Sequence, residues 1–406
     1  MQQADMVCLS HLRWNFVFQR PQHLMTRCAR TRRVFYIEEP VFEPGPCRLD
    51  VTVTVSGVRV VVPVLSENLA QQVHTTYISR LMDSLLLEHD ITRHTLWYYT
   101  PMALAFTEHL SPINIVYDCM DELSKFAGAP EGLIDLERRL LDRADVVLTG
   151  GTSLYEAKRS RHSNVHACPS SVDAAHFAAA RHPGIDPPDQ AQIPHPRMGF
   201  FGVIDERMDL DLLDGIAAAR PDWHLVLLGP VVKISTEVLP RRMNLHYLGT
   251  KDYDALPSYI RGWDVALLPF ARNEATRFIS PTKTPEYLAA GKPVVSTSIQ
   301  DVVRPYGETG LARIADTVED FAKAIDASLK DDLEVHMRRA DTFLNGMSWD
   351  ATWQKIERLE GVSLSRRPIP AHENTGRRVT VTGGSLHTPR EAAGSRMLAQ
   401  SGQDHV

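Results

Sequence analysis

Short apolar runs alternate along the chain with polar stretches of helical spacing. Met6–Ser10 (MVCLS) is the first such run and suits a central parallel strand. The loop HLRWNFVFQR follows it, and from Pro21 onward Leu24, Met25, Cys28 and Ala29 fall on one helical face. Val34–Ile37 (VFYI) is the next strand, so the first forty or so residues make a strand–loop–helix–strand unit, the opening of a doubly wound α/β fold. Farther on, Leu96–Leu104 and Ile113–Leu123 read as strands running into loops. GLIDLERRLLDRA has helical spacing with its charges outward, and Ala144–Arg159 gives a strand, a Gly150-Gly151 turn and a helix capped by Thr152 or Ser153.

Between His182 and Pro196 the sequence HPGIDPPDQAQIPHP is crowded with proline and polar residues, as linkers are. Beyond it a second alternation begins. Met198–Phe201, WHLVLLGP, NLHYLG and Asp264–Phe270 read as strands, with the helix LDLLDGIAAAR after the first of them. MSWDATWQKIERL has Ser348 as a capping residue and sets Trp349, Trp353 and Ile356 on one face. From about Arg366 the periodicity is lost and the composition predicts disorder, although VTVTGG (Val379–Gly384) alternates like a strand. The expected organisation is a Rossmann-like domain over 1–181, a linker over 182–196, a second Rossmann-like domain over 197–346, a helix over 347–364 and a disordered tail over 365–406.

Composition narrows the function. The net charge of -6 argues against bulk nucleic-acid binding. The five cysteines are far apart and without metal-ligand spacing, which predicts free thiols in a reducing compartment. No basic-plus-apolar leader opens the chain and no apolar run is long enough for a bilayer. The expected location is the cytoplasm, with peripheral association at the inner membrane face if the acceptor is lipid-linked.

The densest chemistry lies in SPTKTPEYLAAGKPVVST, Ser280–Thr297. Pro281 and Pro285 sit where a helix begins, each after a hydroxyl residue (Ser280, Thr284) able to cap it. Gly291 and Pro293 end the helix, and Val294–Val295 open a buried strand. A helix N-terminus with Lys283 beside it is suited to a phosphate. Glu286, one turn in, is then either a solvated capping glutamate or an acceptor for a sugar hydroxyl next to that phosphate. In the first half, His11, Arg13, Trp14, Arg20, Gln22 and His23 crowd the loop at the carboxyl end of the first strand, where open α/β sheets place ligands. Trp14 and Phe16 alternatively cover the sheet edge. Asp118 and Asp121 follow the apolar run Ile113–Tyr117 in the same way. The first loop lacks G-x-G-x-x-G, which counts against an NAD or flavin enzyme.

The stretch from Ser280 resembles the nucleotide-binding segment of GT-B glycosyltransferases, the retaining "glycosyl transferases group 1" type of bacteria. RPQHLM and FFGVIDERMD resemble that group's first-helix entry and the glycine turn of its second domain. The resemblance implies two Rossmann-like domains facing a cleft, a terminal helix crossing back to the first domain, and transfer of a sugar from a nucleoside-diphosphate sugar to an acceptor hydroxyl. The donor residues it implies are Glu286 on ribose, Lys283, Arg207, Gly202, Ser280 and Thr282 around the diphosphate, and Tyr247 and Leu248 at the base. Arg207 is alternatively a surface ion pair with Glu206 or Asp209. Arg13, Arg20 and Asp118 fall on the acceptor side, with a glycan or lipid-linked acceptor. Asp121, then His11, are the general-base candidates if the reaction inverts. No cofactor or bound metal is implied, and no His/Asp metal cluster is evident. The chain departs from the family at two positions: Phe278 stands where many retaining members carry a second glutamate, and Val203 where an arginine often follows the glycine. Those departures keep open a non-catalytic nucleotide-binding or partner module; a nucleotide-sugar 2-epimerase is a further alternative on the same fold.

Overall fold

The computed structural model describes residues 3–366. Nine strands form the first sheet: β1 (Asp5–Leu9), β2 (Val34–Ile37), β3 (Val41–Glu43), β4 (Arg48–Val53), β5 (Val58–Ser66), β6 (His94–Tyr98), β7 (Asn114–Cys119), β8 (Val146–Thr149) and β9 (Val165–Ala167). All pairings are parallel except β4 with β5. The second sheet has six parallel strands in the order β12-β11-β10-β13-β14-β15: β10 (Arg197–Phe201), β11 (His224–Leu228), β12 (Leu245–Tyr247), β13 (Val265–Leu268), β14 (Val294–Ser296) and β15 (Ala312–Ile314). In each sheet the order reverses beside the first strand, β1 or β10, so the loops at their carboxyl ends open onto a crevice.

Burial explains the strands. β1, β2, β6, β7, β8 and β10 are buried at every position, as expected of parallel strands with helices on both faces. β4 and β5, whose DVTVTVSGVRVVV pattern alternates, form a hairpin that the apolar-run reading above does not anticipate. β4 lies on the outside of the sheet and is mostly exposed. The stretch expected as a linker, 182–196, is mostly exposed but is anchored on the second domain at Gln190 and Ile193. Gln190 is fully buried, donating from Nε2 to the Tyr259 carbonyl at 2.9 Å and accepting from Trp263 Nε1 at 3.0 Å.

The helix Trp349–Arg366 returns to the first sheet, where Trp349, Trp353 and Ile356 join a core with Met6, Cys8, Leu24 and Trp97. Arg32 clamps its Glu360 through two hydrogen bonds of 2.8 and 2.5 Å. The described residues thus form one compact unit containing both sheets. The expected tail past 366, with Val379–Gly384, lies outside the described residues. All five cysteines are free thiols. Among the described residues no helix is long and apolar enough to cross a membrane.

Candidate functional site

A cavity of about 420 Å³ lies between the carboxyl ends of the two sheets. Its second-sheet wall is built on backbone that only glycine permits. Gly202, after β10, has φ +136, and a Cβ there would come within 2.2 Å of Lys283 Cε. Gly229, after β11, has φ +140, and a Cβ there would stand 1.9 Å from the Gly202 carbonyl oxygen. Removing both side chains lets two strand ends close up and the Lys283 chain lie across them.

The helix behind this wall is Lys283–Ala289. Neither Ser280 nor Thr284 caps it as expected: Thr282 occupies the cap position with helical backbone, and no side chain accepts there. Thr284 Oγ1 is buried without a partner. The helix ends as its sequence predicts. Gly291 at φ +76 donates to the Leu288 carbonyl, and the Lys292 N–H to that of Tyr287, both at 3.0 Å. The Phe201 N–H donates to Tyr287 Oη at 3.1 Å, fixing the helix to the end of β10.

Glu286 is no solvated cap. It is buried on the cavity wall, and its Oε2 has no hydrogen-bond partner. Burial pushes its carboxyl up to about 7, with Lys283 opposing. Lys283 lines the same wall, over the rings of Phe200 and Phe201 at 5.7 and 5.9 Å. Burial lowers its ammonium, Arg207 adding to the effect and Glu286 opposing it. Arg207 also faces the cavity, with Asp205 rather than Glu206 or Asp209 as its partner, at 2.6–3.0 Å. Ser280, Thr282 and Gly202 complete the group that the structure brings together from the expected donor set. Tyr247 and Leu248 are not brought there. Tyr247 turns its hydroxyl to the Pro240 carbonyl, 3.2 Å away, and Leu248 packs on the core; the cavity is lined instead by Thr250–Tyr253, just beyond them. Tyr253 Oη is buried without a partner, and its ring stacks on His176 at 4.3 Å and packs on Phe18 of the first loop at 4.6 Å.

From the first sheet, Trp14–Arg20, Met120, Asp121 and Gly150 line the opposite side. Burial raises the Asp121 carboxyl, while Arg207, Lys283 and Lys233 pull it down. The other first-sheet expectations need correcting. Arg20 reaches the cavity edge, but its guanidinium is engaged by Asp118 at 2.9–3.2 Å and the Cys168 carbonyl at 2.8 Å. Asp118 is wholly buried under that pair. Arg13 turns away to Glu38, Glu39 and Pro40. His11 does not line the cavity; burial, then Lys233, push its imidazole down to about 4. These residues shape the loops that carry the site.

Phe278 does not line the cavity either and packs against the core of the first sheet. The nearest upstream acid, Glu274, is exposed and pairs with Lys125 at 3.4 Å. Among the described residues no cluster of three metal-ligating side chains occurs.

Comparison with known proteins fits this geometry. Residues 195–331 match the family model described as Glycosyl transferases group 1. A Bacillus subtilis protein named for a glycosyltransferase role in teichuronic acid biosynthesis is 24% identical over 295 residues, 66% of this chain and 72% of that protein. Sucrose-phosphate synthase from Thermosynechococcus elongatus superposes with a TM-score of 0.66 at 14% identity, over 89% of this chain and 100% of that one. An Anabaena protein in complex with UDP and glucose gives 0.62 at 12%, over 88% of this chain and 99% of that one. An E. coli structure bound with UDP-2-fluoro glucose gives 0.63 at 13%, over 88% and 99%. The fold is GT-B, and the family match and the curated relative support a glycosyltransferase.

Arg20→Met leaves Asp118 buried and unpaired, so urea denaturation is expected to show a loss of about 3–5 kcal/mol. Arg20→Met combined with Asp118→Leu is expected to recover much of it. A stable single variant would mean that the pair is not structural.

Proposed function

We propose that the chain transfers a sugar from a nucleoside-diphosphate-sugar donor to the hydroxyl of a glycan or lipid-linked acceptor in cell-envelope or exopolysaccharide synthesis. The observation that carries this reading is Glu286: a buried carboxyl in the cavity wall, with one oxygen lacking a hydrogen-bond partner, one turn from Lys283 on the same wall. Leaving such an oxygen unpaired costs about 1–3 kcal/mol, which ribose hydroxyls donating to it would offset. Lys283 and Arg207 stand where they would face the diphosphate, with Ser280 and Thr282 adding hydroxyls. Charge develops on the leaving diphosphate as the bond from the sugar carbon to the phosphate oxygen breaks, and these cations stabilise it most at that moment. The acceptor oxygen forms the new bond to that carbon. In an inverting reaction its proton goes to Asp121, whose burial raises its basicity. Uridine diphosphate is the first nucleotide to test, since two of the structural neighbours carry UDP groups.

A non-catalytic nucleotide-binding module is the second reading, favoured by Phe278 packing into the first domain in place of a donor-side glutamate. Release of nucleoside diphosphate from a donor sugar excludes it.

A matching nucleotide at a hundred times its dissociation constant is expected to stabilise the wild type by about 2.7 kcal/mol in thermal unfolding. Glu286→Gln is expected to lose most of that effect. The ionised carboxylate is the stronger acceptor for the ribose hydroxyls, so the gap between the two proteins widens as pH rises through about 7. Equal stabilisation of both proteins at every pH would remove Glu286 from the site. For an inverting reaction, Asp121→Asn is expected to cut turnover, followed as nucleotide release, by about a hundredfold or more. Full turnover would take Asp121 out of the base role.

A further inference from the structure

The loop that follows β7 carries Asp121, and it is gripped from both domains. Glu122, the next residue, is paired at 2.7 Å with Lys158, a lysine of the first domain that is 1% exposed. Lys125 reaches Glu274 of the second domain at 3.4 Å. Phe126 follows Lys125 in the same loop. Two cations of the second domain rest on its ring, Arg207 and Lys233, each 5.4 Å from the centroid. Neither cation is there by default. Asp205 fixes the Arg207 guanidinium with hydrogen bonds of 2.6–3.0 Å. Lys233 holds a left-handed backbone, φ 64, a conformation that disfavours any residue with a Cβ.

We infer that Phe126 is a positioning residue: through its contact with Arg207 it couples occupation of the donor site to the placement of Asp121. The inference rests on the glycosyl-transfer reading, in which Arg207 faces the donor diphosphate. A guanidinium held by Asp205 and a bound diphosphate is fixed in place, and the ring beneath it is fixed with it. Asp121 lies five positions before that ring, in a loop already anchored at Glu122. Donor binding therefore completes the clasp on the loop, and the acceptor-side carboxylate is set when the donor is in place.

The test uses the full chain with uridine, guanosine and adenosine diphosphates, the one that stabilises wild type being carried forward. Trypsin cutting after the exposed Lys125 reports on the loop without requiring turnover. In wild type the nucleotide is expected to slow that cut severalfold. Phe126→Tyr, which keeps the aromatic face, is expected to behave as wild type does. Phe126→Leu is expected to keep the nucleotide dissociation constant within about threefold, lose the protection, and turn over about tenfold more slowly at saturating donor. A merely structural role would lower thermal stability and weaken nucleotide binding in step with turnover. Nucleotide binding without protection in wild type, or protection retained in Phe126→Leu, overturns the inference and leaves the donor site standing. If none of the three nucleotides binds wild type, the glycosyl-transfer reading fails and the inference falls with it.

Discussion

An ionisable carboxyl buried without a full set of partners is the constraint to which the second domain is fitted. Glu286 and Lys283 lie one helical turn apart on the cavity wall, and burial pushes both toward their neutral forms. Such a pair persists only where the surrounding backbone over-determines it. Here the Tyr287 hydroxyl ties the helix to the end of β10, and the Gly291 turn closes its far end. Glycine at 202 makes the space that the Lys283 chain crosses, and glycine at 229 lets its strand end close on the Gly202 carbonyl. A polar ligand with hydroxyls and negative charge would answer the unpaired Glu286 oxygen and the Lys283 ammonium at once, whereas an apolar ligand would leave that oxygen unpaired.

The first domain meets this wall with a different economy. Its conspicuous charges, Arg20 and Asp118, are spent on one another beneath the β7 loop, and Arg13 secures the turn after β2. What they hold in place is a rim of aromatic and small residues, Trp14 to Phe18 and Gly150, with Asp121 as its acid. Next to that rim, Gly151 meets the second domain: a Cβ there would meet Asp301 and Ser280, and the Ser153 N–H donates to Asp301 at 2.9 Å. The cavity therefore depends on contacts between the domains as much as on either sheet.

Much of this was legible in the sequence, because parallel strands buried on both faces leave unbroken apolar runs and their helices leave a 3.6-residue period. The strand–helix alternation in both halves, the Gly291 stop and the cluster around Glu286 could all be read from those signals. The β4–β5 hairpin does not show in those signals, because its pattern has period two and lies outside the strand–helix alternation. Local sequence could not tell Arg13 and Arg20 from ligand contacts, since their partners Glu38 and Asp118 are distant in the chain. The strand end turns Tyr247 and Leu248 toward the core, and it is the following loop, with Tyr253, that comes to the cavity, a difference of a few residues that no local signal marks. Tyr253 carried no motif, and only its unpartnered hydroxyl in the folded chain marks it.

A crystal structure with a bound nucleoside diphosphate tests the central claim most directly. The account predicts the ribose hydroxyls within hydrogen-bond reach of Glu286 and the diphosphate against Lys283, Arg207 and the Gly202 turn. A nucleotide seated elsewhere, with Glu286 still unpartnered, would contradict it.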